Sequence, residues 1–434
     1  MPAHESRRLR IVRTPIMRSR RGCGLAAASV VVLALSAPLW TARMAANQAP
    51  APPVLPQVAQ DIASPSAKVR RQALRGLRER GGPETLPLFA RLIGDAEPDI
   101  REGAIAGVIG VYVQRPGKRS IGSAAAAFDI ARFRVELWPV PDELTSALAK
   151  ALADEWPSVR RDAAYALGIV LTPPISDAVA FEIAASLSDR EPSVRIAAAR
   201  ALGHLRVRDA GVPLVGRIND EDLDVRLASM NALGDLRDNG AVVALTDQFT
   251  FYVRGAAGRA ALSALGAIGP ESSIPLFEAQ TTSGYPAHRR SAYEGLARSG
   301  RATAAAPRIE AAMASEKDTR VLIAMAFALA SAGREGINRV LDALADRDRA
   351  DAALGYLVEL GRPHVPAVAA RLSDPNPVVR EQIAIALGFI GGPEAAAALK
   401  SASGESDPDV RHAIDVAQVR ITRSPVAATR ARNN

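Results

Sequence analysis

Near the C-terminal end of the chain, apolar residues return every three or four positions: Val379, Ile383, Leu387 and Ile390. That spacing lines one stripe of a helix about three turns long. Pro377 fits the first helical position, where its missing N–H costs nothing, and Asn376 before it fits a cap. Gly391 and Gly392 supply a turn. Pro393 then opens a second, shorter helix in which Ala396 and Leu399 share a face, and Gly404 and Pro408 end it. Two such helices cannot bury their stripes alone, so each unit has to stack on a copy of itself.

The copies are present. Counting from Arg380, the matching position recurs at residues 70, 101, 160, 195, 226, 258, 289, 320, 349, 380 and 411, and ten of these eleven are Arg, with Gly258 the exception. Seven residues further on stand Leu77, Val108, Leu167, Leu202, Leu233, Leu265, Leu296, Phe327, Tyr356, Leu387 and Gln418, of which only the last is polar. A nearly fixed step of about thirty residues holding helix-period stripes and Gly/Pro breaks predicts an all-α fold, an α-solenoid of about eleven helical hairpins. We number the units 1 to 11 by these positions. Most units carry an Asp six residues before the Arg of the next helix: Asp95, Asp154, Asp189, Asp220 and Asp374. Such a carboxylate can accept from helix-start N–H groups and be bridged by the Arg of a neighbouring unit. Because the row repeats with the fold, it reads as an Asp–Arg ladder joining adjacent turns in preference to a ligand track. Pro87, Pro213, Pro275, Pro307 and Pro366 fall early in second helices, where proline is tolerated.

One interval breaks the step. Between Arg101 and Arg160 lie about 28 extra residues, placed at 114–140. The basic run QRPGKRSIGS opens this insertion, and RFRVELW (132–138) alternates apolar and charged residues with a strand-like period. An insertion in a repeat array emerges on one face, often the binding face, so Phe128, Phe133 and Trp138 together with five basic residues form a candidate partner contact. A lid over the solenoid edge or a disordered loop is the other reading.

Composition agrees with stacked thin helices: 48% of residues are hydrophobic and only 4% aromatic. The formal charge of +8 is concentrated in residues 1–46, which hold eight Arg and one Glu, leaving 46 basic and 45 acidic residues for the rest. A nearly neutral repeat body gives no support to nucleic-acid binding, which usually needs a basic stripe. Seven of those Arg precede the apolar run 25–40, as in an export signal or signal anchor, with the repeats then outside the cytoplasm. Met17 offers an alternative start. Ala34-Leu35-Ser36 fits a cleavage pattern, while the apolar run, interrupted by Pro38, barely reaches the ~20 residues that span a bilayer. The expected organisation is therefore a leader at 1–46, a Pro/Ala-rich tether at 47–60, the solenoid at 61–423 and a disordered basic tail at 424–434.

Little points to chemistry. Cys23, in the leader, is the only cysteine, so the body has no thiolate nucleophile and no Cys-ligated metal. His4, His204, His288, His364 and His412 each stand alone at no metal-ligand spacing and read as solvated or edge-packed. GVYVQRPGKRS (110–120) has the wrong spacing for a phosphate loop, with Arg119 where Ser or Thr is needed. No catalytic residue, metal or cofactor is expected. Positions one and five after the key arginine should face away from the core, which makes Arg161, Tyr165, Arg200, Asn231, Arg259, Arg290 and Glu294 a candidate partner-binding row for an acidic surface.

The segments DREPSVRIAAARALGHL (189–205), DEDLDVRLASMNALGDL (220–236) and DPNPVVREQIAIALGFIGG (374–392) resemble HEAT-like repeats of the phycobilisome-lyase type, through their D-x-x-x-x-V-R-x-x-A-x-x-A-L-G pattern. The resemblance covers roughly residues 61–420. It implies a right-handed superhelix used mainly for protein–protein contact. A minority of that family handle bilin chromophores, and a related branch is a metal-dependent hydroxylase that needs repeated His-Glu pairs. The only His-Glu here is His4-Glu5, so the hydroxylase activity does not carry over. The expectation is a non-enzymatic, extracytoplasmic scaffold for a protein partner, with an inner-membrane tether through the leader as an option. A tetrapyrrole lyase or enzyme-associated subunit is the first alternative, and nucleic-acid binding by the array the second.

Overall fold

The helix-period stripes become helices throughout. The computed structural model describes residues 56–113 and 123–423, so the leader, the basic run at 114–122 and the C-terminal tail lie outside the described residues. The first helix, α1 (Pro56–Asp61), starts inside the stretch read as a tether, because Val58 packs into the core. The units follow as α2 (Ala67–Arg80) with α3 (Leu86–Leu92), then α4 (Pro98–Val113), the insertion helix α5 (Ala124–Ala131) and α6 (Asp142–Ala151). Next come α7 (Pro157–Val170) with α8 (Asp177–Ala185), α9 (Pro192–His204) with α10 (Gly211–Arg217), and α11 (Leu223–Leu236) with α12 (Val242–Phe251). The array continues through α13 (Ala256–Ile268) with α14 (Ile274–Gln280), α15 (Pro286–Arg298) with α16 (Ala302–Met313), and α17 (Thr319–Ser331) with α18 (Ile337–Asp342). It ends with α19 (Ala350–Leu360) and α20 (Val365–Ala370), α21 (Pro377–Ile390) and α22 (Gly392–Ser401), and α23 (Pro408–Arg423).

Each arginine-bearing helix packs on the one before and the one after, so these inner helices form one layer and their shorter partners a second. The protein is an α-solenoid. All ten bulky residues placed seven after the key position, Leu77 to Leu387, are buried, and Gln418 is half-buried. Neighbouring inner helices approach to backbone distance. A Cβ built on Gly203 would lie 2.7 Å from Ala232 Cα, and on Gly388 2.8 Å from Ala417 Cα. This contact is the physical meaning of the A-L-G pattern: glycine faces a small residue of the next unit, and a larger side chain would separate the layers.

The turn chemistry is also as expected in the tenth unit. The Asn376 side chain accepts from the Val378 N–H at 3.0 Å, and Gly391 (φ 67°) and Gly392 (φ 90°) take the positive φ that lets α22 reverse direction. Pro307 departs from expectation: α16 starts earlier, so this proline lies in its interior and removes a helix hydrogen bond there.

The ladder forms with a stated geometry. Arg70 reaches Asp95 of the following unit at 2.6 Å, while Arg101, Arg160 and Arg195 reach Asp154, Asp189 and Asp220 at 2.7 Å. Each arginine also donates to the carbonyl six residues before it, as Arg160 does to Asp154 O at 2.9 Å. Each carboxylate accepts the backbone N–H two residues on, as Asp189 does from Glu191 at 2.9 Å. In later units glutamates take the place of aspartate: Arg289 pairs with Glu316 at 2.7 Å and Arg380 with Glu405 at 2.8 Å. Asp374 is a correction. The arginine that should reach it, Arg349, sits just before α19 and pairs with Asp346 of its own unit, so Asp374 pairs instead with Arg371.

RFRVELW is a second correction. There is no strand among the described residues, and 134–140 is an extended limb without a partner strand. Its alternation arises because Phe133 and Val135 pack against the core while Arg134 and Glu136 find charged partners on inner helices.

Candidate protein-binding groove

The inner helices carry the face that the sequence leaves polar, and that face lines a single cavity of about 2720 Å³. Residues of α7, α9, α11, α13, α15, α19, α21 and α23 contribute to its wall, together with the insertion. Of the candidate row, Arg200, Asn231, Arg290 and Glu294 line it; Arg161, Tyr165 and Arg259 do not. Arg161 is half-buried beside Asp162 at 2.7 Å, and Arg259 is exposed outside the cavity. Tyr165 is buried, because α5 covers it: the Phe128 ring lies 5.4 Å from the Tyr165 ring.

The insertion does not gather its aromatics into one patch. Phe128 is buried between Tyr165 and His204, with Arg200 4.9 Å over its ring and paired with Asp129. Phe133 lies far along the array, edge-on to Phe389 at 5.5 Å. Trp138 is 40% exposed at the cavity wall. Of the five basic residues, Arg132 and Arg134 are described, and they meet Asp235 at 3.7 Å and Asp351 at 3.5 Å.

A second charged cluster spans the cavity. Glu359 of unit 9 accepts from Arg298 of unit 7 at 2.9 Å and from Arg237 of unit 5 at 2.6 Å. The Tyr356 hydroxyl donates to Glu294, and its ring stacks on Phe327 at 4.5 Å. Burial alone would raise the Glu359 carboxyl, but the two guanidiniums hold it below its ordinary range. Burial pushes the Tyr356 hydroxyl well up, with Glu294 adding to it. Burial likewise lowers His204 to about 4, helped by Arg132 and Arg206, so its imidazole is neutral at pH 7. Arg420, lying 3.8 Å over the Phe389 ring, is lowered by burial to about 10. Asp235 opens to water but is crowded by surrounding protein, and that crowding raises its carboxyl despite Arg132 and Arg206.

Sequence reasoning missed the Glu359 cluster, whose members are 61 and 122 residues apart. It also misread two histidines. His288 is buried, with Phe249 at 5.5 Å and Tyr285 at 5.1 Å. His412 Nε2 lies 2.7 Å from Glu136 of the insertion, a carboxylate 276 residues away. No helix among the described residues is long and apolar enough to cross a membrane.

A family model described as HEAT repeats matches residues 179–260 and 337–417. None of the curated proteins matches the chain. Among solved structures, an engineered protein is similar at 17% identity, covering 85% of this chain and 98% of its own, with a TM-score of 0.40. The complex of CpcE and CpcF of phycocyanin lyase from Nostoc sp. is similar at 22% identity, over 66% of this chain and 99% of that one, with a TM-score of 0.39. Human deoxyhypusine hydroxylase in complex with glycerol is similar at 21% identity, over 64% and 96%, with a TM-score of 0.28. The two matched stretches are thus similar to HEAT repeats, and the match is to HEAT repeats in general and not to the phycobilisome-lyase branch of the resemblance.

Proposed function

We propose that this protein is a non-enzymatic scaffold that holds a protein partner along the groove of its inner helices. The observation that carries this reading is the continuity of the groove. Units 3 to 7 and 9 to 11 present polar and aromatic side chains to one cavity of about 2720 Å³, well above the ~300–1,000 Å³ of a small-molecule pocket. HEAT repeats over residues 179–260 and 337–417 support it, since stacked helical repeats use such extended surfaces for recognition. The basic leader followed by the apolar run 25–40 supports placement beyond the cytoplasmic membrane, cleaved or retained as a tether.

The test is a pull-down from the envelope fraction with the full chain and with Asn231→Trp, which fills the groove from an exposed position. A stoichiometric protein retained by the wild type and lost by the variant is expected. Retention that ignores the variant, or visible absorbance co-purifying in place of a protein, overturns the reading. Sequencing the N-terminus of the native protein tests the compartment: a start near residue 37 supports export with cleavage.

A further inference from the structure

The limb that follows α5 occupies the groove in the manner of a bound peptide. A turn at 132–133 leads into residues 134–140, which form neither helix nor strand, and together they touch units from both ends of the array. Arg132 faces Asp235 of unit 5 at 3.7 Å, and Arg134 faces Asp351 of unit 9 at 3.5 Å. Phe133 sits against Phe389 of unit 10 at 5.5 Å and beside Gly355, where a Cβ would stand 4.0 Å from the ring in ordinary contact and a longer side chain would reach into it. Glu136 meets His412 of unit 11 at 2.7 Å, and its N–H donates to the Tyr112 carbonyl of unit 2 at 2.8 Å. Arg423 donates to the Leu137 carbonyl at 2.5 Å, and the Tyr112 hydroxyl to that of Pro139 at 3.2 Å.

Two features distinguish this from permanent core. Both arginine pairs are long; Arg132 and Asp235 are 63% and 46% exposed, and Asp351 is 66% exposed opposite a largely covered Arg134, so the first pair in particular contributes little. The aromatic residue that anchors the limb is only half-buried, and the large cavity continues beside it. We propose that the limb is a built-in pseudo-ligand, and that the partner, on the scaffold reading above, docks an extended segment of the same chemistry. That segment carries an aromatic residue for the Phe389/Gly355 seat, an acidic residue three positions on for His412, and arginines flanking the aromatic for Asp235 and Asp351. The tethered limb competes at high effective concentration, so the free groove is a minor state and the apparent affinity of a partner falls by that fraction.

The probe is a labelled synthetic peptide, ARFRVELWPVP, residues 131–141 of this chain. Its binding to the full-length protein is followed by fluorescence anisotropy. Phe133→Ser with Glu136→Lys in the full chain frees the groove, and binding about tenfold or more tighter than to wild type is expected. Adding Gly355→Leu, which fills the aromatic seat from the groove side, abolishes it. Equal affinity for wild type and released variant, or binding that survives Gly355→Leu, overturns the proposal. Should the double variant lose its cooperative melt, Glu136→Gln alone decides: affinity rises about threefold, and no rise overturns the proposal. Because the peptide stands in for the partner, this test can fail while the pull-down succeeds, and the reverse.

Discussion

Units 1 to 4 and unit 6 solve the same stacking problem differently. From Arg70 to Arg195, each inner helix sends a guanidinium to the next unit's aspartate at 2.6–2.7 Å and fixes its own entry turn with the other branch. At unit 6 the arginine is Gly258 and the carboxylate position is Tyr252. There the entry turn folds onto the helix itself, so a Cβ on Gly258 would lie 2.1 Å from the Tyr252 carbonyl oxygen. One step earlier, Arg226 still donates to Asp220 O at 2.9 Å, but its buried Nε has no hydrogen-bond partner among the described residues. Phe251 is left 80% exposed beside this break. The comparison teaches that the core layer, not the ladder, holds the stack together: Leu233 and Leu265 are fully buried on either side of the gap.

The largest test follows from that. Leu233→Asp places a charge in the fully buried seam and should cost more than about 4 kcal/mol, melting the middle of the array; unchanged thermal unfolding would contradict the register. Arg160→Ala strands Asp189 with side chains only 7% and 12% exposed, and a loss of about 3 kcal/mol is expected by chemical denaturation. The exposed Arg320, outside the ladder, should leave the midpoint unmoved when changed to Ala. Gly258→Arg restores the repeat pattern on paper yet collides with the Tyr252 carbonyl, so it should destabilise by about 1–3 kcal/mol; a rise in melting temperature would show that the turn adapts.

A further effect concerns acid. Arg289 and Arg380 hold Glu316 and Glu405 down to about 2 through direct hydrogen bonds. A carboxyl whose folded value lies below its unfolded one of about 4.3 contributes fully above that value. Its contribution is then lost as pH falls toward 2. Denaturant midpoints should therefore drop between about pH 4 and 2, and Glu316→Gln should flatten its share of that slope.

The repeat was legible in the sequence because it is local: stripes, caps and the Arg–Asp spacing all lie within one unit or its neighbour. Leu77 to Leu387 are buried, and Arg160 meets Asp189, as the spacing requires. The groove was legible only in part. Arg200, Asn231, Arg290 and Glu294 follow from helical phase, but Tyr165 fails because α5 covers it, which no period can announce. His412 with Glu136, and Phe133 with Phe389, join residues more than 250 positions apart. Such pairs depend on how far the array curves, a property that accumulates over many small rotations and is encoded in no single unit.

Glu359 draws out a mechanical consequence. One carboxylate shared by Arg237 and Arg298 ties the fifth, seventh and ninth turns of a coil that would otherwise stretch like a spring. On the scaffold reading, a guest wide enough to spread those turns would have to part that clasp as well as displace the limb.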